Sequence, residues 1–125
     1  MKPLNALIID DSSVMRKIVT RSLAQAGYTF QKVSEAGNGQ EALDTLEASQ
    51  PDLIMCDINM PVMDGLTFLQ RLREQPSFQR VPVIMVTTEH NEHCVLEAVS
   101  SGANGFIQKP FAADEIKEKL NLIFG

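Results

Sequence analysis

Short apolar segments alternate along the chain with stretches in which apolar residues recur every three or four positions. Residues 4–10 (LNALIID), 30–36 (FQKVSEA), 52–57 (DLIMCD), 81–87 (VPVIMVT) and 105–109 (GFIQK) read as strands. The third and fourth are nearly unbroken Leu, Ile, Met and Val, the pattern of strands covered on both faces. Between them, helical spacing appears in Met15, Ile18, Val19 and Leu23, and again in Ala42, Leu43 and Leu46. It returns in Leu66, Leu69 and Leu72, in Val95, Leu96 and Val99, and in Ile116, Leu120 and Ile123. Ser12 or Ser13, Asn38 and Asp64 are candidate N-caps, and Gly27 and Gly102 candidate helix stops. The string is (βα)₅ with short connections and no linker or repeat. Five strands are too few for an eight-stranded barrel, so the pattern predicts an open, doubly wound parallel α/β sheet with helices on both faces.

Composition narrows the function more than the fold. Eleven Lys and Arg against sixteen Asp and Glu leave a net charge of −5, which argues against a general nucleic-acid or membrane-surface binder. No apolar run approaches a membrane span, and the opening MKPLNALIIDD meets acid too early for a signal peptide. Cys56 and Cys94 form no close-spaced motif and read as reduced thiols. A cytoplasmic, soluble, single domain is the expectation.

Sheets of this class carry their sites beyond the carboxyl ends of the strands. That rule brings Asp10 and Asp11 after the first strand, Asp57 after the third, Thr87 after the fourth and Lys109 after the fifth to one edge. Taken singly, each has a plainer reading. Asp11 is a helix N-terminal acid, Asp57 a strand-end turn residue, Thr87 a loop residue and Lys109 a solvated cation. Taken together they are costly, since two carboxylates about 5 Å apart repel by about 3 kcal/mol at an effective dielectric of about 20. A hard divalent cation and a nearby ammonium both offset that repulsion. Mg²⁺ suits a site with few carboxylates, retained waters and a phosphate oxygen, and Lys109 supplies a point charge for phosphate. The group reads as a place for a phosphoryl group on an acid.

IIDDSSVMRKIV, PDLIMCDINMPVMDGL, VIMVTT and GANGFIQKPF resemble, in that order, the receiver domain of two-component response regulators. The resemblance extends over essentially the whole chain and is nearest to stand-alone chemotaxis-type (CheY-like) regulators. It implies strand order 2-1-3-4-5 and one receiver domain over 1–125 with no output domain. Asp57 would accept a phosphoryl group from the phosphohistidine of a histidine kinase or a histidine phosphotransfer domain. Asp10 and Asp11 would arrange Mg²⁺, with Asp11, Asp57 and the backbone carbonyl of Asn59 as ligands. Lys109 would pair with the phosphoryl group, Thr87 would turn toward it and Phe106 would follow inward. Lys109-Pro110 resembles the family's cis-proline turn, and Thr88 stands where the family usually has a smaller residue.

The resemblance also implies partners. The phosphodonor would dock near the first helix, which offers Arg16, Lys17 and Arg21 around an apolar face. Output would leave through the fourth helix, fifth strand and fifth helix, toward an output protein such as the flagellar motor switch. Yet no Lys or Arg occurs from Val81 to Gln108, while Glu89, Glu92 and Glu97 lie there beside His90 and His93. Only Lys117 and Lys119 on the fifth helix restore positive charge, so the expected target is less acidic than a motor-switch peptide. A monomer is expected. The alternative is an excised receiver or a phosphate sink of another phosphorelay.

Three rivals are weaker. GNGQEA (37–42) fits a relaxed dinucleotide fingerprint, but it follows the most polar strand and reads better as a turn capped by Asn38. An aspartyl-nucleophile phosphatase resembles this site, but would carry an acid where Asn59 stands, and Asn cannot move the proton that turnover needs. A flavodoxin-like carrier would share the fold but want a hydroxyl-rich phosphate loop and flanking aromatics. Here the loop opens on acids, and the chain has no Trp and one Tyr. A metal reading of His90 and His93 yields to solvated side chains at a helix start.

Overall fold

In the computed structural model, which describes residues 3–88 and 91–125, strands and helices alternate as the pattern predicts. The order is β1 (Leu4–Ile9), α1 (Ser13–Gln25), β2 (Phe30–Ala36), α2 (Gly39–Leu46), β3 (Leu53–Cys56) and α3 (Gly65–Arg73). A short 3₁₀ turn (Pro76–Phe78) leads to β4 (Val83–Thr87), α4 (Glu92–Ser100), β5 (Gly105–Gln108) and α5 (Ala113–Phe124). The sheet runs β2-β1-β3-β4-β5 with every neighbouring pair parallel, the expected order.

Side-chain alternation along each strand splits the core in two. On β1, Leu7 and Ile9 face one cluster with Phe68, Leu69 and Leu72 of α3, while Ala6 and Ile8 face another with Leu23, Ile116 and Leu120 of α1 and α5. All four residues of β3 and all five of β4 are buried, as their unbroken apolar runs require.

The expected strands overshoot by a residue or two. Pro82 lacks an N–H, so β4 begins at Val83. Asp10, Asp57 and Lys109 lie one step beyond their strands, yet each still donates its N–H across the ladder. The acceptors are the carbonyls of Ala36, Ile9 and Thr87, at 3.1, 2.9 and 2.8 Å. The sheet therefore fixes their backbone while leaving their side chains clear of its plane.

Ser12, Asn38 and Asp64 cap α1, α2 and α3, accepting from the N–H groups of Met15, Glu41 and Thr67. Gly27 (φ +89°) and Gly102 (φ +105°) stop helices in the left-handed region, as expected. α4 departs from expectation. Leu96 and Val99 are 59% and 57% exposed, and the buried residue is Ala98, with Cys94 and Val95 half-buried beside it. Ala98 takes the core-facing position, packed in the cluster with the α3 residues, and the two larger residues lie on the outer face. Ile18, 43% exposed, is likewise outside the core. Both cysteines are free thiols. Glu89 and His90 lie outside the described residues, and so do the expectations placed on them. Among the described residues, no helix is long and apolar enough to cross a membrane.

Candidate functional site

Asp10 and Asp57 are buried and Asp11 is exposed, at the carboxyl ends of the adjacent interior strands β1 and β3. Each offers a carboxylate oxygen, and the three oxygens lie within 4.8 Å of one another. Lys109 reaches in from the end of β5. Its Nζ donates to Asp10 Oδ2 at 2.7 Å and to Asp57 Oδ2 at 3.2 Å. The other carboxylate oxygens are held by backbone, Asp10 Oδ1 by the Ser12 N–H at 2.9 Å and Asp57 Oδ1 by the Ile58 N–H at 2.7 Å. Five of the residues read as one constellation are thus brought to one edge of the sheet, with Thr87 fully buried as the last residue of β4.

Charge sets the protonation of the cation. Burial acts to lower the pKa of Lys109, but the Asp10 hydrogen bond and the charges of Asp57 and Asp10 outweigh it, so the net shift is upward. Cys56, adjacent to Asp57, donates its S–H to the Asp57 carbonyl at 3.1 Å. Burial, followed by the charges of Asp57, Asp10 and Asp64, raises its pKa well above the usual thiol value. It is a core thiol and no nucleophile.

Two site-forming features were not read from the sequence. At Gly65, in the MDG triplet, an added Cβ would collide with the Asp57 carbonyl oxygen and come within 2.9 Å of the Ile58 Cα. The loop after β3 folds back so tightly that Gly65 N–H donates to the Ile58 carbonyl at 2.8 Å, and only glycine fits. Arg16 is the second. It was expected on the docking face with Lys17 and Arg21, which are exposed. Instead its side chain is 19% exposed, with Nε on Glu35 Oε1 at 2.8 Å and Nη1 on the Asp10 carbonyl at 2.6 Å. Both of its partners lie at the strand ends beside α1, so the guanidinium folds down rather than outward.

The surroundings match the remaining expectations in part. The Lys109-Pro110 peptide bond is cis. Phe106 is half-buried against the α2–α3–α4 side of the core. Thr88 is exposed and lines an apolar groove of about 380 Å³ with Met15, Ile18, Lys109, Pro110 and Phe111. Asn38 accepts from the Glu41 N–H at 2.9 Å, so GNGQEA is the expected capped turn rather than a dinucleotide loop.

A family model, the response regulator receiver domain, matches residues 6–121. The chain belongs to the response regulator receiver family. This receiver is 38% identical over 123 residues to the chemotaxis protein CheY1 of Helicobacter pylori, covering 98% of each chain. It is 40% identical to the chemotaxis protein CheY-3 of Vibrio cholerae, covering 98% of this chain and 93% of that one. Among solved structures, it superposes with a TM-score of 0.87 and 30% identity on the CheX–CheY–BeF₃–Mg²⁺ complex from Borrelia burgdorferi, covering 98% and 90%. Receivers are signalling domains phosphorylated on an aspartate rather than catalysts of metabolic turnover.

Three carboxylates are the hard oxygen donors Mg²⁺ prefers, and their spacing, within 4.8 Å of one another, suits one small cation. When bound, Mg²⁺ would neutralise the acid cluster and the incoming phosphoryl charge.

Proposed function

We propose that residues 1–125 form one receiver domain, working in the cytoplasm as a phosphorylation switch with Asp57 as acceptor. The observation that carries the reading is the ammonium of Lys109 held between Asp10 and Asp57 at the strand ends. An Asp57 carboxylate oxygen attacks the phosphorus of a phosphohistidine, and the P–N bond breaks. Its electron pair stays on the ring nitrogen, so the imidazole, already protonated on its other nitrogen, leaves as a neutral ring. Lys109 then exchanges a carboxylate for a phosphoryl oxygen. Asp11, Asp57 and the Asn59 carbonyl would hold Mg²⁺, with Asp10 beside them. Because Asn59 has no proton to transfer, the acyl phosphate outlasts its formation, which is what a signal requires.

Thr87 and Phe106 would relay the state. The Thr87 hydroxyl turns toward the phosphoryl group, vacating space into which the half-buried Phe106 ring moves. The donor is a histidine kinase or phosphotransfer domain, for which the apolar groove beside Lys109 is a fitting seat. The output partner would meet α4, β5 and α5, as in a chemotaxis regulator. Supporting that surface, Leu96 and Val99 stand exposed on α4 beside Glu92 and Glu97.

Asp57→Asn tests the acceptor. The variant should keep the fold and take up no acid-labile phosphate from acetyl phosphate or a kinase, and full uptake would sink the assignment. The partner is tested by titrating beryllofluoride-loaded protein with an acidic motor-switch peptide at low and high salt. Weak binding is expected. Tight, salt-sensitive binding would restore the motor switch as the target.

A further inference from the structure

Asp11 is the exposed member of the acid cluster, and among the described residues no hydrogen bond or ion pair holds its carboxylate. Its direction must come from the backbone. The peptide group joining Asp10 to Asp11 is gripped by Arg16, whose Nη1 donates to the Asp10 carbonyl oxygen at 2.6 Å. The same guanidinium is anchored on β2 through Nε to Glu35 Oε1 at 2.8 Å. Around this contact the turn closes on itself. The Ser12 N–H donates to Asp10 Oδ1 at 2.9 Å, and the Arg16 N–H to the Ser12 carbonyl at 3.0 Å.

We infer that Arg16 is a positioning residue for the acid pair. By fixing the plane of the Asp10–Asp11 peptide, it sets the angle at which Asp11 presents its carboxylate to a divalent cation. The inference rests on the reading of these acids as a Mg²⁺ site. Glu35 already meets the charge of Arg16, so the contribution is directional rather than a general neutralisation of the acids. It also needs arginine. Two N–H groups must point at once to a carboxylate on β2 and to a carbonyl beyond β1, and the planar fork does this where one lysine ammonium cannot.

The test is Mg²⁺ titration by calorimetry of the wild type, Arg16→Ala, Arg16→Lys, Asp11→Ala and the double variant Asp11→Ala/Arg16→Ala. Urea unfolding without Mg²⁺ shows that each is folded. Partners that orient a ligand typically change metal affinity by about 10- to 100-fold, so both Arg16 variants should raise Kd by about tenfold or more. In the Asp11→Ala background, Arg16→Ala should change Kd by less than about twofold, because its effect passes through the missing carboxylate. Wild-type affinity in Arg16→Ala, full recovery in Arg16→Lys, or additive losses in the double variant would each overturn the positioning role. If Asp11→Ala itself binds Mg²⁺ like the wild type, the metal reading fails first and the inference with it.

Discussion

Two half-buried cations stand at opposite edges of the sheet, held by opposite kinds of partner. Lys109, beyond the carboxyl end of β5, faces the carboxylates of Asp10 and Asp57. Arg73, at the end of α3, lies beside the amino ends of β4 and β5 and, among the described residues, meets only neutral oxygens. It donates to the carbonyls of Phe78 and Gly102 at 2.8 and 2.7 Å and to Asn104 Oδ1 at 3.1 Å. Asn104 Oδ1 also accepts the first N–H of β4, at Val83, so the arginine ties the α3–β4 and α4–β5 connections together. Burial lowers the pKa of Arg73 with no charge to oppose it, whereas the acids around Lys109 reverse the effect of burial. A cation among fixed carbonyls is a fastener. A cation among like-charged acids can trade one anion for another, and that exchange is what a phosphorylation site needs.

The comparison breaks most visibly in activity. Lys109→Met should slow phosphorylation by acetyl phosphate about 100-fold, the scale of losing one donor to a developing anion, while Arg73→Met stays within about twofold of wild type. Equal losses in both would mean that Lys109 acts only through the fold. Stability should show the converse contrast. Arg73→Met removes three hydrogen bonds from a partly buried donor and should cost about 2 kcal/mol in urea unfolding, with phosphate uptake intact in the folded fraction. A loss below about 0.5 kcal/mol would deny the fastening role.

The smallest effect is in pH. The folded-state pKa of Lys109 is raised, so its contribution to stability is fully present below the unfolded lysine pKa. That contribution is lost as pH climbs through the raised value, because the unfolded chain gives up the proton first. Urea midpoints should therefore fall across that alkaline window in the wild type, and fall less in Lys109→Met. Arg73 stays charged throughout. Equal slopes in the two proteins would remove the electrostatic account of the site.

Parts of this arrangement are legible without coordinates for a physical reason. Asp10 and Asp57 each follow an apolar run at once and Lys109 follows one after a single Gln, and in a parallel sheet every such run ends on the same side. The end of the hydrophobic pattern is therefore an address. Side chains that act sideways, between elements distant in the chain, carry no such mark. Arg73 looks like an exposed helix-terminal arginine until the loop at Gly102–Asn104 is folded against it, and Arg16 looks like a basic residue on a docking face until β2 brings Glu35 beneath it. On α4, Leu96 and Val99 are as apolar as any core pair. That Ala98 faces inward instead depends on how α4 is turned against the core beside α3, which no periodicity records.

Local chemistry thus determined the strands and helices, the caps of the first three helices, the parallel sheet and the acids, threonine and lysine at its carboxyl edge, because each follows from a run of neighbouring residues and one geometric rule. The tertiary structure alone decided the grip of Arg16 on the Asp10 carbonyl, the close pass of Gly65 over Asp57, the orientation of α4 and the partners of the two buried cations. These depend on distances of a few ångströms between residues dozens of positions apart, and such distances exist only once the chain has packed.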